Sequence, residues 1–473
     1  MAAISSPGVG SGLDVKSIVS QLVALERRPI DKLQQVKATT EAKLSSFGLL
    51  QSYANNLRDA AKKLALPSTW AASTATSSDT TTLSVSTTGT VSQGSFSLTI
   101  SQMARAQSLA SPAFGSTAST FGAGTLTLQL GQWSGGGPPS FTAKSGTSAV
   151  DVSITAGDSL TTVRDKINAA DAGVRASLVN DGSGARLVIR SQSTGEVNAV
   201  KITASGDASL DNLAYSPDEA STGAMTQTTS AQDLNATING LAVTDSSNTL
   251  TDAIEGVTLT VKQTSATPVE VTVGSDTAAM RKAVDDFTKA YNDLNSYVNE
   301  QTKYDPDKKV AGKLQGESAT RSLQGQLRAL LQGVSGASAT YTSMSSLGIE
   351  LQRDGSLSVN DSKFGAAIAD PSALSTAFTA DADGEASDGF GVRFTTLTTS
   401  LTDGDGLLQR RADGFRSQIK RQETQMATLE DRVARTEERL LKQYNTLDSN
   451  LGRLNGLSGY ISQQVTAWNN SKG

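Results

Sequence analysis

Acidic side chains cluster twice beside glycines near the end of the chain, in a pattern that could hold calcium. The runs are Asp381, Asp383, Glu385 and Asp388, then Asp403 and Asp405. A helix-loop-helix calcium site needs a twelve-residue loop closed by a bidentate glutamate, and neither run has that spacing. We therefore predict solvated turns at both places and no metal site.

Histidine and cysteine, the side chains that serve most catalytic and metal sites, are both absent from the 473 residues. This excludes disulfides, thiol nucleophiles, Ser-His-Asp triads and nearly all transition-metal sites. Carboxylate, Lys, Tyr or Ser/Lys chemistry remains, but no S-x-x-K motif has a convincing context. The segment most similar to a phosphate-binding loop is residues 312–316, and it lacks the G-x-x-x-x-G-K-[ST] pattern. We predict a protein that is not an enzyme and has no cofactor.

Charge and hydropathy exclude further classes of partner. The formal charge of -5 comes from 41 basic and 46 acidic residues that are mixed along the chain. Such mixing gives no footprint for nucleic acid. No apolar run approaches the length of a membrane span, and we predict no secretory signal peptide. The length suggests roughly three domains.

Apolar residues near both ends of the chain recur in steps of three and four, which predicts two long amphipathic helices. The C-terminal seam consists of Phe415, Ile419, Met426, Leu429, Val433 and Leu440. The N-terminal seam consists of Leu33, Val36, Phe47, Leu50, Leu57 and Leu64, with Lys43 interrupting the pattern. We predict that the seams pair as an antiparallel coiled-coil stalk, with further helices packed on it because two helices alone would be marginal.

The outermost segments carry apolar faces without enough helix to cover them. They are formed by Ile18, Leu22 and Leu25 at one end and by Leu457, Ile461 and Trp468 at the other. A capping box of Ser11 and Asp14 should begin the first helix, and Pro29 should end it near Arg28. We predict that these six apolar residues bind partner subunits, although closing an intramolecular core is an alternative.

The middle of the chain changes to alternating patterns typical of strands. We predict strands at 83–85, 96–100, 126–130, 150–154, 174–179, 187–189, 197–202, 236–243, 257–261 and 269–273. A helix that Asp158 caps should interrupt them, and Asn239-Gly240 should form a hairpin turn.

The fold class is therefore α+β multidomain, with β-rich head domains inserted into the helical stalk. The domains are terminal segments at 1–32 and 441–473, a helical leg at 33–67 and 276–440, a proximal β domain at 68–110 and 226–275, and a distal β domain at 111–225.

Short motifs in a fixed order carry a family resemblance. They are Gly12-Leu13-Asp14-Val15, Glu26-Arg27-Arg28-Pro29-Ile30, Gly94-Ser95-Phe96-Ser97-Leu98-Thr99-Ile100, Ala104-Arg105-Ala106-Gln107, Ile238-Asn239-Gly240, Tyr291-Asn292-Asp293-Leu294, Asp354-Gly355-Ser356-Leu357 and Ala467-Trp468-Asn469. Each is weak alone, but their order and spacing resemble flagellar filament cap proteins, the hook-associated protein 2 family, over nearly the whole chain.

The resemblance implies a secreted, extracellular structural protein at the flagellum tip. It also implies export in an unfolded state through the flagellar type III apparatus with an export chaperone, and assembly into a homo-oligomeric ring. The head domains would form a plate, the legs would bind the tip through hook-filament junction proteins, and flagellin would fold and insert beneath the plate. In some bacteria, such heads also bind host mucus.

Two other classes remain open at this point. Another axial filament subunit, flagellin or a junction protein, would also fold its ends into helices around inserted strands, but would form an open helical polymer. A surface adhesin would leave swimming intact when it is deleted.

Overall fold

One long helix from each end of the chain forms the largest elements of the structure. The computed structural model describes residues 14–136, 139–218, 223–307, 309–382, 384 and 386–470. The helices are α1 (Val15–Ala65), α2 (Pro67–Trp70), α3 (Leu160–Ala169), α4 (Thr277–Thr302), α5 (Ser318–Gln332), α6 (Asp361–Ile368), α7 (Pro371–Thr379), α8 (Phe390–Thr402) and α9 (Leu407–Asn470).

The strands are mostly short and antiparallel. They are β1 (Ser73–Ser77), β2 (Leu83–Thr87), β3 (Gly94–Gln102), β4 (Ser108–Ala110), β5 (Gly124–Ser134), β6 (Ser140–Ala143), β7 (Val150–Ile154), β8 (Val174–Asn180), β9 (Ala185–Ser191), β10 (Ala199–Gly206), β11 (Thr226–Thr229), β12 (Leu234–Ile238), β13 (Leu241–Asp245), β14 (Thr249–Ile254), β15 (Val257–Val261), β16 (Ser265–Ser275), β17 (Tyr304–Asp305), β18 (Val310–Ala311), β19 (Ile349–Leu351) and β20 (Leu357–Val359). The described residues form two compact units, a helical unit up to Trp70 and from Met280 onward, and a β unit, Ala71–Ala279.

Helix α1 runs through Pro29, so the prediction that the first helix ends near Arg28 is wrong. A proline inside a helix costs about 3 kcal/mol because it removes one backbone hydrogen bond and crowds the preceding turn. Val23 and Ile30, on either side of Pro29, are both buried in one cluster with Val433 of α9. This packing on both sides keeps the helix continuous. Asp14 is itself the N-cap residue and accepts the Ser17 N–H at 3.0 Å, whereas Ser11 of the predicted capping box lies outside the described residues.

Helices α1 and α9 pack antiparallel in a single register. The contacting pairs, in order toward the chain termini, are Gln51–Gln409, Phe47–Phe415, Thr40–Gln422 and Lys37–Glu423. From the first pair to the last, the contacts move 14 residues toward the N-terminus of α1 and 14 residues toward the C-terminus of α9, as antiparallel pairing requires. The two ends of the chain therefore share one helical rod.

The seam residues fall into three classes of burial. Phe47, Leu50, Leu57, Leu64, Phe415 and Val433 are buried, and Leu33, Ile419, Met426, Leu429 and Leu440 are half-buried. Val36 differs from the prediction, since it is 48% exposed. The antiparallel register explains why the other seam residues differ in burial.

That register shifts which segments pair. Because Phe47 lies opposite Phe415, the later part of the N-terminal seam runs past the start of α9 and packs into the main helical core, in contact with α8. The later part of the C-terminal seam, Met426 to Leu440, instead packs against the segment that contains Val15, Val19 and Ile30. One face of the predicted terminal segment is therefore part of the intramolecular rod.

The core of the helical unit contains α4, α5 and the short helices α6 to α8 beside α1. Asp276 caps α4 by accepting the Ala279 N–H at 2.8 Å. The Trp70 and Phe378 rings stack with centroids 4.7 Å apart. These helices supply the additional burial that a two-helix rod lacks.

Gly391 marks a close approach of α8 to α1. A Cβ there would lie 2.7 Å from the Ala65 nitrogen and 2.8 Å from the Phe378 carbonyl oxygen. We expect Gly391→Ala to destabilise the helical unit by about 1–3 kcal/mol, because backbone must move to admit the methyl group. Chemical denaturation measures the effect.

Gly365 provides the matched control for that substitution. It lies inside α6 with nothing within 4 Å of a built Cβ. Gly365→Ala should leave stability unchanged or raise it by up to about 1 kcal/mol. Equal losses at the two glycines would show that crowding at Gly391 is not the cause.

The β unit contains two hydrophobic cores. The first β core lies between a five-stranded sheet, β1-β16-β3-β12-β13, and a three-stranded sheet, β14-β15-β2. The second β core is built from α3, the sheet β11-β4-β9-β8 and a sheet centred on β5. The Asn239-Gly240 turn joins β12 to β13 with positive φ at both residues, as its composition predicts.

The prediction that Asp158 caps α3 is wrong. Ser159 is the N-cap residue and accepts the Thr162 N–H, whereas Asp158 lies one position earlier. The Asp158 carboxylate instead accepts the Thr155 N–H at 2.7 Å and pairs with Lys166. Adjacent Asp and Ser are both good cap residues, so composition alone could not separate them.

Strand pairing bears on where the junction between the two β cores is proposed. Strands β4 and β11 pair with each other, and β4 also pairs with β9, so both belong with the second β core. We propose the junction near Gln107 and Ala231. Gln107 is buried there, and its side-chain oxygen accepts the Val200 N–H at 2.6 Å.

Candidate docking surface on the terminal helices

The last third of α9 carries a stripe of exposed apolar side chains. Its members are Leu447, Leu454, Leu457, Tyr460, Ile461, Val465 and Trp468, with exposed fractions between 45% and 61%. Most of them recur in steps of three and four, so they lie along one side of the helix. Exposed apolar stripes of this size mark interaction surfaces.

The antiparallel register explains why this stripe is exposed. Continued toward the start of α1, it brings Val15 to the height of Tyr444 and Leu447, and the buried cluster ends there. The remainder of α9 up to Asn470 extends roughly 33 Å further at 1.5 Å per residue. This length of helix lies beyond the first described turn of α1.

The apolar face of α1 is wider than the part that is buried in the rod. Val15, Val19 and Val23 are buried, while Leu22 is 36% and Leu25 is 51% exposed. Ile18 is half-buried and lies on the same side of this face as Leu22 and Leu25.

The structure thus separates the six predicted binding residues into two groups. Ile18, Leu22 and Leu25 lie on the part of the rod that α1 forms, whereas Leu457, Ile461 and Trp468 lie on the extension of α9. Their role in binding stays a prediction.

Glycines weaken the extension of α9 without ending it. Gly452, Gly456 and Gly459 all lie within the helix, and each costs roughly 1 kcal/mol relative to alanine. Nothing lies within 4 Å of a Cβ built at Gly456 or Gly459. A partner that covered the stripe would therefore supply stability that the isolated helix lacks.

A buried carboxylate, which the sequence did not single out, fixes the base of the rod. Glu317 is the N-cap residue of α5 and is 6% exposed. Its two oxygens accept hydrogen bonds from Lys43 of α1 at 2.8 Å and from Arg411 of α9 at 2.7 Å. The Arg411 guanidinium also lies 4.2 Å from the centroid of the Phe415 ring. One sequence feature could have indicated this buried charge cluster, because Lys43 interrupts the apolar seam.

Lys43 and Arg411 stabilise the ionised form of the Glu317 carboxyl. Burial raises the pKa of its carboxyl, but hydrogen bonds from Lys43 and Arg411, together with their charges, outweigh burial and hold the pKa below the ordinary 4.5. Because the folded pKa is depressed, its stabilisation is fully present above pH 4.5 and is lost as the pH falls through the folded pKa.

Glu317→Gln tests this ionic cluster. We expect a loss of about 1–2 kcal/mol at pH 7, with the lower part of the range reflecting partial solvent exposure of both cations. The difference between variant and parent should shrink as the pH falls below 4.5. Urea denaturation at several pH values measures it, with the exposed Glu430→Gln as control. A constant difference at every pH would contradict the ionic contribution.

The described residues contain no cluster of His, Cys, Asp or Glu suited to a metal ion. Asp383 and Glu385 of the first acidic run lie outside the described residues. The Asp388 carboxylate accepts the Ala382 N–H at 2.8 Å, which is a local turn contact. Within the described part of the chain, no helix is both long and apolar enough to cross a membrane.

Comparison with known proteins gives consistent matches along the chain. Family models described as flagellar hook-associated protein 2 N-terminus and C-terminus match residues 11–107 and 231–456, and a flagellin hook IN motif matches residues 140–193. The N-terminal model ends and the C-terminal model begins near the proposed junction of the two β cores. The IN motif lies within the second β core.

Individual relatives match nearly the full length. The chain is 31% identical over 485 residues to flagellar hook-associated protein 2 of Escherichia coli K12, covering 100% of both chains. It is 30% identical over 487 residues to A-type flagellar hook-associated protein 2 of Pseudomonas aeruginosa, covering 97% of each.

A solved structure supports the fold. The D1-D2-D3 domains of the Escherichia coli flagellar cap protein FliD match with a TM-score of 0.62 and 28% identity, covering 78% of this chain and 99% of that one. Taken with the full-length relatives, this shows that the chain is a member of the flagellar hook-associated protein 2 family, whose members are structural proteins and not enzymes.

Proposed function

We propose that this protein caps the distal end of a bacterial flagellum and promotes the folding and insertion of exported flagellin subunits. Family membership supports the location, and the exposed stripe on α9 supports the mode of attachment. The observation that carries the proposal is the extension of this stripe beyond α1 on a helical unit that is otherwise well buried.

The free energy available from covering the stripe is compatible with reversible attachment. Burying an apolar side chain of this size is worth about 1.5–3 kcal/mol. Covering the stripe therefore offers on the order of 10 kcal/mol gross, from which ordering and lost freedom of the partners are subtracted. Binding of this strength is reversible, as a cap that advances with each new subunit requires.

The proposed partners follow from this role. They are further copies of the chain in a ring, flagellin, the hook-filament junction proteins, and the export chaperone and type III apparatus during secretion. Helical segments with exposed apolar stripes pair with similar helices by inserting side chains between those of the partner. Since the sequence lacks a phosphate loop, flagellin assembly itself must drive movement of the cap.

Imaging and complementation together test the proposal. Electron microscopy of the purified protein should show closed rings of few subunits, whereas an open helical polymer would favour a filament subunit. In the parent organism, deletion of the gene should abolish filaments, with loss of flagellin to the medium. Deletion mutants that swim normally but attach poorly would favour an adhesin and contradict the cap.

A further inference from the structure

The rod formed by α1 and α9 has a polar layer between two apolar regions. On one side, Phe47 and Phe415 pack in the main helical core. On the other side, a small separate cluster contains Val23, Ile30 and Val433. Thr40 and Gln422 lie between them, and both are buried, at 4% and 6% exposed.

Within this layer Thr40 donates its hydroxyl to the Val36 carbonyl at 2.9 Å, whereas Gln422 is poorly satisfied. Gln422 Nε2 approaches Thr40 Oγ1 at 3.5 Å, which is at the long limit of a hydrogen bond. Gln422 Oε1 is buried and accepts no hydrogen bond from the described residues. A buried acceptor of this kind lowers the stability of the closed rod, because water would satisfy it if the helices parted.

The neighbouring turn toward the chain termini is also weakly packed. Lys37 pairs with Glu423 at 2.8 Å, but the Glu423 side chain is 53% exposed. Val36, predicted on the seam, is 48% exposed. On the core side, by contrast, the buried Glu317 ties Lys43 and Arg411 together. Separation of the helices that begins at the chain termini would therefore meet less resistance up to the Thr40–Gln422 layer than beyond it.

We propose that the Thr40–Gln422 layer is a built-in joint, up to which the outer rod opens and recloses while the helical core stays folded. The outer rod comprises residues 15–36 of α1 and 424–444 of α9. Opening this far exposes Gln422 to water and disrupts only one small apolar cluster. The outer rod should therefore behave as one cooperative unit of low stability. The joint is a property of the fold and does not depend on the cap function.

Hydrogen exchange on the purified full-length chain tests the joint. In the parent protein, amides of residues 15–36 and 424–444 should share one opening equilibrium, with protection at least about tenfold below that of residues 47–64. The substitution Thr40→Val with Gln422→Leu replaces the polar layer by an apolar one. It should raise protection of the outer rod by about tenfold and leave the core within about twofold.

A matched control makes the same chemical changes on the exposed side of the helix. Thr424 and Gln425 are both exposed on α9. Thr424→Val with Gln425→Leu should not change protection of the outer rod. If the double apolar layer prevents folding, Gln422→Met alone removes the unsatisfied oxygen at nearly constant volume and should raise protection in the same segments.

Three results would overturn the joint. The first is protection that declines gradually along the rod, with no step at the layer. The second is unchanged protection of the outer rod in folded Gln422→Met and Thr40→Val/Gln422→Leu proteins. The third is an equal rise in the Thr424→Val/Gln425→Leu control, which would assign the effect to general apolar content. Because no filament is involved, these results are separable from any failure of the cap function.

Discussion

Phe47→Ala is expected to lower the free energy of unfolding of the helical unit by about 3–5 kcal/mol. Phe47 is 0% exposed, and its ring meets the Phe415 ring edge-on at 5.3 Å between centroids. Removing it leaves a cavity where α1 and α9 join the main core, and a well-packed site of this kind cannot collapse fully. Denaturant unfolding followed by far-ultraviolet circular dichroism measures the loss.

Leu49 offers a control two residues away on the same helix. It is 55% exposed, so Leu49→Ala removes little buried surface and should change stability by less than about 0.5 kcal/mol. A similar loss at both positions would mean that α1 does not bury the Phe47 face as described.

Introducing charge into the stripe on α9 is expected to abolish attachment to the filament tip. In Leu457→Glu/Ile461→Glu, two side chains that are 55% and 53% exposed become carboxylates on the proposed docking face. The lost apolar burial and the desolvation of two charges should weaken binding by at least about a hundredfold. Cells carrying this variant should secrete unpolymerised flagellin and fail to swim.

The fold should survive this change, because both positions are solvent-exposed in the free chain. Circular dichroism and thermal unfolding should match the parent protein within about 0.5 kcal/mol. Gln463→Glu, also exposed and on the same stretch of α9, controls for added charge outside the stripe. Normal filament growth with a folded Leu457→Glu/Ile461→Glu protein would exclude the stripe from attachment.

The long-range pairing of the chain ends could be predicted because a heptad pattern directly encodes which helix faces must be buried. Its register could not be predicted, since one apolar stripe satisfies several alignments. Packing against α8 and the Glu317 cluster selects the alignment that is observed, and this leaves Val36 exposed.

Strands were predictable where apolar residues alternate, and short edge strands were not. Strands β7 and β15 have the predicted bounds because valine, leucine or isoleucine occupies every second position. Strands β1 and β11 consist almost wholly of Ser, Thr, Ala and Gln, so their pairing partners determine them. The prediction that the first helix ends before Pro29 was wrong for a similar reason. Proline has a low helix propensity, but tertiary packing keeps α1 helical there.

The candidate surface was predictable in part. Exposure of Leu457, Ile461 and Trp468 agrees with the apolar excess that the sequence showed there. The division of the first segment into a buried and an exposed face required the position of α9. Val19 and Leu22 lie on one broad apolar face, and no pattern in α1 alone shows which part of it α9 covers.

Distance measurement between spin labels tests the antiparallel rod most directly, and the absence of native cysteine makes the labelling specific. Lys37→Cys/Glu423→Cys places labels on facing helices, and Lys37→Cys/Asn450→Cys places the second label about 40 Å further along α9. The rod predicts a short, narrow distance for the first pair and a distance near 40 Å or more for the second. A long or broad distribution for Lys37 and Glu423 would contradict the pairing of the two chain ends.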